Sequence, residues 1–88
     1  MSAILNTYNR KKVAFAKGKG AFLYGTNGKK YLDFVQGIAV NCLGHANNYL
    51  INSISKQAKK LWHVSNAFII PEQERLAKRL KQKTFADY

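Results

Sequence analysis

The stretch Ala21-Phe22-Leu23-Tyr24-Gly25-Thr26-Asn27-Gly28-Lys29-Lys30-Tyr31-Leu32-Asp33-Phe34-Val35 decides how the first half of the chain folds. Two strand-like runs, residues 21–24 and 30–35, flank Thr26-Asn27-Gly28-Lys29. Asn-Gly at such a junction predicts a hairpin, with a type I′ turn that needs positive φ at both central positions. In the second run Leu32 and Phe34 share one face, while Tyr31, Asp33 and Val35 share the other. A third strand-like run lies upstream, over residues 13–17, and Gly18-Lys19-Gly20 supplies the glycines for a tight turn between it and the next. The three runs together predict a short antiparallel meander. Residues 1–12 read as an arm, with turn-forming Asn6-Thr7-Tyr8-Asn9 ahead of the exposed Arg10-Lys11-Lys12 run.

Downstream of the meander, residues 37–44 hold Ile38, Ala39, Val40, Cys42 and Leu43 between two glycines. An apolar, irregular run of this kind reads as a buried crossing segment and closes the unit 13–46. A helix is predicted from about residue 47 or 48, where asparagine is a good N-cap, to about residue 62. Leu50, Ile54, Ala58 and Leu61 form its apolar stripe, widened by Ile51 and Trp62, and Lys56, Lys59 and Lys60 lie on the wet side. A second helix opens at Pro71, whose missing N–H suits the first helical position. Glu72 and Glu74 favour the positive end of its dipole, Glu74 can pair with Lys78, and Leu76, Ala77 and Leu80 form its apolar side. Residues 47–88 are therefore read as two helices, and the fold class as an α+β fragment: a short antiparallel meander followed by two helices.

Size and charge bound the function. A chain of 88 residues buries roughly 60–65% of its unfolded surface, a thin margin for an independent fold. No apolar run approaches the roughly 20 residues of a membrane span, and the N-terminus has no basic region followed by a long apolar stretch. The single cysteine, Cys42, excludes an internal disulfide and fits a reducing cytoplasm. The net charge is +11, and seven basic residues with no acid precede Asp33. That bias suits a nucleic-acid surface. However, the lysines are spread over turns and strand ends rather than gathered on one helix, and the aromatics alternate as a core requires, so the reading disfavours nucleic acid.

The catalytic inventory is poor. Glu72 and Glu74 face different ways, so they form no carboxylate pair. His45 and His63 stand at no metal-ligand spacing with Cys42 or each other. Cys42 reads as a packing thiol and His45 as a hydrogen-bonded structural residue. Gly18-Lys19-Gly20 opens no helix, so it is no phosphate loop. No catalytic, cofactor-binding or metal-ligating residue is assigned.

The ordered set of motifs says more than any one of them. It consists of Gly18-Lys19-Gly20-Ala21-Phe22-Leu23-Tyr24, Asn27-Gly28-Lys29-Lys30-Tyr31-Leu32-Asp33-Phe34, Gly37-Ile38-Ala39-Val40-Asn41-Cys42-Leu43-Gly44-His45, Leu61-Trp62-His63-Val64-Ser65-Asn66-Ala67-Phe68 and Glu74-Arg75-Leu76-Ala77. This set resembles the start of class III aminotransferases and, within that class, the acetylornithine aminotransferases; the likeness runs from Asn6 to Tyr88. The resemblance implies the N-terminal fragment of a fold type I pyridoxal-phosphate enzyme, with a large α/β cofactor domain, a smaller α+β domain and a two-fold homodimer. It implies a cytoplasmic enzyme of arginine biosynthesis that moves an amino group from N-acetylornithine to 2-oxoglutarate, with succinyl-diaminopimelate or another ω-amino compound as other donors. The family's phosphate loop, pyridine-facing aspartate, cofactor-binding lysine and carboxylate-binding arginine lie downstream of Tyr88, so this chain alone is expected to be inactive. Carried over residue by residue, Gly37, Ile38 and Ala39 match the substrate-pocket lining, and Asn66, Ala67 and Phe68 match a stretch at the site entrance or dimer contact. Ile38 falls where ornithine aminotransferases tend to have tyrosine, which points to donor selection; plain packing is the other reading of a buried aliphatic. Asn48 falls where the family usually has proline, and the local effect expected is a looser helix entry. The competing reading is a small basic module that binds nucleic acid or dimerises.

Overall fold

The computed structural model describes residues 2–86. Contacts divide the chain into two compact units, one running to Ser53 and one starting at Ile54.

The first unit contains the meander. Strands β1 (Phe15–Lys19), β2 (Phe22–Gly25) and β3 (Lys30–Leu32) pair antiparallel in the order β1-β2-β3. Phe22 lies opposite Leu32 and Leu23 opposite Tyr31, while β1 carries an irregularity between Phe15 and Lys17. The hairpin forms where Asn-Gly predicts it, but through a different turn. Among residues 26–28 only Gly28 has positive φ, at 78°. The Gly28 N–H bonds to the Gly25 carbonyl at 3.0 Å and the Gly25 N–H to the Lys29 carbonyl at 2.9 Å. This is the three-residue loop with one left-handed glycine, not the type I′ form. Asn27 works through its side chain instead: Oδ1 accepts the Lys29 N–H and Nδ2 donates to the Tyr31 hydroxyl, both at 3.0 Å. A Cβ at Gly25 would lie 2.4 Å from Asn27 Oδ1, so this arrangement requires glycine there.

One sheet face carries Phe15 and Tyr31 edge to face, ring centres 5.5 Å apart. On the other, the Lys30 amine lies 3.9 Å from the centre of the Phe22 ring and the Lys17 amine 5.1 Å from that of Tyr24. The lysines therefore close over their own aromatics. The meander's alternating aromatics were expected to supply a core, yet among the described residues Gly25 is the only buried one and no apolar side chain is buried. The run 37–44, expected to be buried, is also mostly exposed: Ile38 is 87% and Val40 75% accessible, and Cys42, read as a packing thiol, is exposed too, with only Asn41 and Gly44 half-buried. Apolar composition states what a side chain needs covered, not whether this length of chain supplies the cover.

A third helical element, absent from the two-helix reading, lies in this run. It is α1, Gln36–Ala39, a single turn. Helix α2 spans Asn48–Lys60. It begins where expected, with Asn47 as the cap, since its Oδ1 accepts the Leu50 N–H at 3.2 Å. With Asn47 capping, Asn48 takes the first helical position without the proline of the family pattern. In the second unit α2 ends two residues earlier than expected. Gln57 Nε2 donates to the Leu61 carbonyl at 2.9 Å, which closes that end and leaves Trp62 outside the helix and exposed. Helix α3, Pro71–Lys83, opens at proline with Glu72 and Glu74 in its first turn. Glu74 pairs with Lys78 at 3.4 Å, as the spacing predicts. Both groups are mostly exposed, so the pair contributes only about 0.3–0.5 kcal/mol. Among the described residues no helix is long and apolar enough to cross a membrane.

Candidate functional site

The polar centre of the first unit is built where β3 ends. The Asp33 N–H bonds to the Ala21 carbonyl at 2.8 Å, which continues the strand pairing one residue past Leu32. The side chain then turns back over the following backbone. Its Oδ1 accepts the N–H groups of Val35 and Gln36, both at 2.9 Å, and its Oδ2 lies 2.6 Å from His45 Nε2. The Asp33 side chain is 5% exposed and that of His45 18%. The Gln36 N–H first and the His45 hydrogen bond second hold the Asp33 carboxyl below its usual 3.8; burial opposes them, and the Val35 N–H adds a lesser lowering. An ionised carboxylate can only accept, so Nε2 of His45 carries the shared hydrogen.

His45 is fixed in turn by its backbone. It exchanges two hydrogen bonds with Gly20, at 2.9 and 2.8 Å, in an isolated antiparallel bridge. The ring lies against Gly18, where a Cβ would sit 2.6 Å from His45 Cγ, and Gly44 takes φ 81° to let the chain approach Gly20. The reading of His45 as a hydrogen-bonded structural residue agrees with these contacts. Gly18 and Gly20 thus serve as a seat for Gly44 and His45 rather than as a phosphate loop.

Between Asp33 and His45 runs α1. All four of its residues have positive φ: Gln36 54°, Gly37 62°, Ile38 63° and Ala39 61°. It is a left-handed turn, closed by Ile38 and Ala39 N–H groups to the Val35 carbonyl and by Val40 and Asn41 N–H groups to the Gln36 carbonyl. Only Gly37 adopts this region freely; for the other three it costs about 1–2 kcal/mol each. Gly37, Ile38 and Ala39, singled out from sequence, therefore lie on one strained, exposed turn next to the Asp33–His45 pair. Sequence reasoning missed Asp33. Its one signal is an aspartate placed directly after a strand and before a turn, where its side chain can bond backbone two residues on.

Asn66, Ala67 and Phe68 lie in the second unit, in a turn closed by the Phe68 N–H to the Ser65 carbonyl at 3.0 Å and the Ala67 N–H to Ser65 Oγ at 3.2 Å. Phe68 is 68% exposed.

Asp33 borders one cavity edged by Arg10 and Lys11 and a smaller one, about 270 Å³ and lined by Gly20, Asp33, Gln36, Asn41 and His45 among others, that includes no lysine or arginine and gives pyridoxal phosphate no seat. A phosphate placed in the smaller cavity would meet a carboxylate with no cation to balance either. Among the described residues no three metal-ligating side chains converge.

The model of the class-III aminotransferase family matches residues 5–88. The chain belongs to the class-III aminotransferases. It is 53% identical over 87 residues to the acetylornithine aminotransferase of Rhodobacter capsulatus, covering 99% of this chain and 22% of that protein. It is 54% identical over 84 residues to acetylornithine aminotransferase 2 of Caulobacter vibrioides, covering 96% and 21%. The fold of this class-III chain is similar to that of N-acetylornithine aminotransferase from Stenotrophomonas maltophilia, with a TM-score of 0.75 and 37% identity over 83% of this chain and 20% of that one. It is also similar to adenosylmethionine-8-amino-7-oxononanoate aminotransferase from Methanocaldococcus jannaschii, with a TM-score of 0.80 and 31% identity over 93% and 20%. The chain spans about a fifth of the length of the curated relatives it matches.

Proposed function

We propose that this chain is the N-terminal portion of a pyridoxal-phosphate-dependent aminotransferase of fold type I, a homodimer that moves an amino group from N-acetylornithine to 2-oxoglutarate. The observation that carries the reading is the 53% identity, over nearly the whole chain, to a protein named acetylornithine aminotransferase. When bound, the cofactor supplies the electron sink for the reaction, and the protein positions it. The residues that hold it belong to the part of the relatives' length that this chain does not match, which leaves the chain alone inactive. The chain's own share is to shape the donor side of the pocket with Gly37, Ile38 and Ala39, and to supply Asn66, Ala67 and Phe68 at the site entrance or dimer contact. The exposed thiol of Cys42 suits a reducing cytoplasm. Against the nucleic-acid reading, the Lys17 and Lys30 amines already lie over the Tyr24 and Phe22 rings, so those faces are not free to stack bases.

The test is glutamate formation by the full-length protein from 2-oxoglutarate with N-acetylornithine or ornithine as donor. Preference for N-acetylornithine is expected. Ile38→Tyr should shift that preference towards ornithine. A protein that binds the cofactor but transfers from neither donor contradicts the proposal.

A further inference from the structure

The left-handed turn Gln36–Ala39 raises the question of what holds it. Ile38, a β-branched residue at φ 63°, is a strong outlier, and Gln36 and Ala39 share the region with it. Strain of this kind persists only where the surroundings over-determine it, and it collects at functional sites. The turn's own hydrogen bonds, Val40 and Asn41 N–H to the Gln36 carbonyl at 2.9 and 3.0 Å, would form equally well in a right-handed turn. The asymmetric constraint lies at its start. There Asp33 Oδ1 takes the N–H groups of Val35 and Gln36, and Oδ2 is tied to His45. His45 is locked by its backbone to Gly20, in the turn between β1 and β2. A rigid path therefore runs from the sheet through His45 and Asp33 to the first residue of the turn.

We propose that Asp33 is a positioning residue for donor selection: it fixes the left-handed turn that presents Gly37, Ile38 and Ala39, and His45 braces it. The proposal rests on the reading that these three residues line the donor side. Asp33 touches no reacting atom. Its influence passes through the backbone of the turn.

The experiment uses the full-length holoenzyme and reads kcat and KM separately for N-acetylornithine and ornithine. It also follows amide hydrogen exchange over residues 35–41. Displacing a pocket wall by an ångström can cost a hundredfold, so Asp33→Ala is expected to change the ratio of kcat/KM for the two donors by about tenfold or more. The change should fall mainly on donor KM, and exchange at Val40 and Asn41 should speed up. Asp33→Asn keeps the two acceptor contacts and should return the ratio to within about threefold of the parent. If Asp33→Ala does not fold, His45→Gln removes the brace alone and should shift the ratio in the same direction by less. A donor ratio untouched by these variants, while Ile38→Tyr moves it, overturns the positioning role and leaves the donor-side reading intact. A ratio untouched by Ile38→Tyr as well overturns both.

Discussion

At the residue scale, Gly18 and the Asp33 carboxylate both act on His45. Gly18→Ala would place a Cβ 2.6 Å from His45 Cγ, so the ring has to leave Asp33. Overpacking of this sort costs about 1–3 kcal/mol, and thermal unfolding of the full-length enzyme should show the loss. Asp33 also sets an acid limit. Its carboxyl is held below 3.8 by the Gln36 N–H and by His45. A carboxyl depressed on folding adds stability above its unfolded value, and that stability is lost as pH falls through the lower folded value. Acid titration followed by circular dichroism should show the parent losing structure below about pH 3.8, with that component absent from Asp33→Asn. Of this, the sequence disclosed only His45 as a hydrogen-bonded structural residue, without its partner. Asp33 and His45 stand twelve residues apart, with nothing in their spacing to pair them, and the strain falls on Gln36, Ile38 and Ala39, which carry no left-handed signature. What the sequence did single out, residues 37–39, it singled out through family resemblance, and the physical peculiarity of those residues came only with their backbone angles.

At the element scale, the legible features were those whose cause is local. Asn-Gly marks the hairpin, Pro71 opens α3 and an asparagine caps α2, because each acts on its immediate neighbours. Replacement of the cap tests this directly. Asn47→Ala removes the acceptor for the Leu50 N–H and should destabilise α2 by about 1 kcal/mol, read as faster amide exchange in its first turn. The turn type escaped prediction because two loops compete for the same dipeptide. The hydrogen bond from Asn27 Nδ2 to the Tyr31 hydroxyl, four residues on, accompanies the one observed. Gly28→Ala keeps the loop length but puts a Cβ on a residue at φ 78°. That costs about 1 kcal/mol, whereas a comparable exchange at Thr26 should cost less.

At the scale of the whole molecule, the dominant fact is apolar surface without cover. Leu50, Ile54 and Leu61, predicted as a core stripe, are all exposed, as are Phe34, Trp62 and Phe68. Exposed apolar side chains in such number mark surface that other protein covers. The 88-residue chain purified alone should therefore bind a hydrophobic dye strongly, associate as its concentration rises and leave the visible absorbance of added pyridoxal phosphate unchanged. The central claim is that this surface and the turn 36–39 are the N-terminal share of an acetylornithine-type aminotransferase. The most direct measurement exchanges residues 5–88 for the matching segment of the Rhodobacter capsulatus enzyme, to which the chain is 53% identical, and follows glutamate formation from N-acetylornithine and 2-oxoglutarate. The account predicts a folded chimera whose kcat/KM stays within about tenfold of the parent, a change of about 1.4 kcal/mol in barrier. A chimera that folds and holds the cofactor yet makes no glutamate would contradict it.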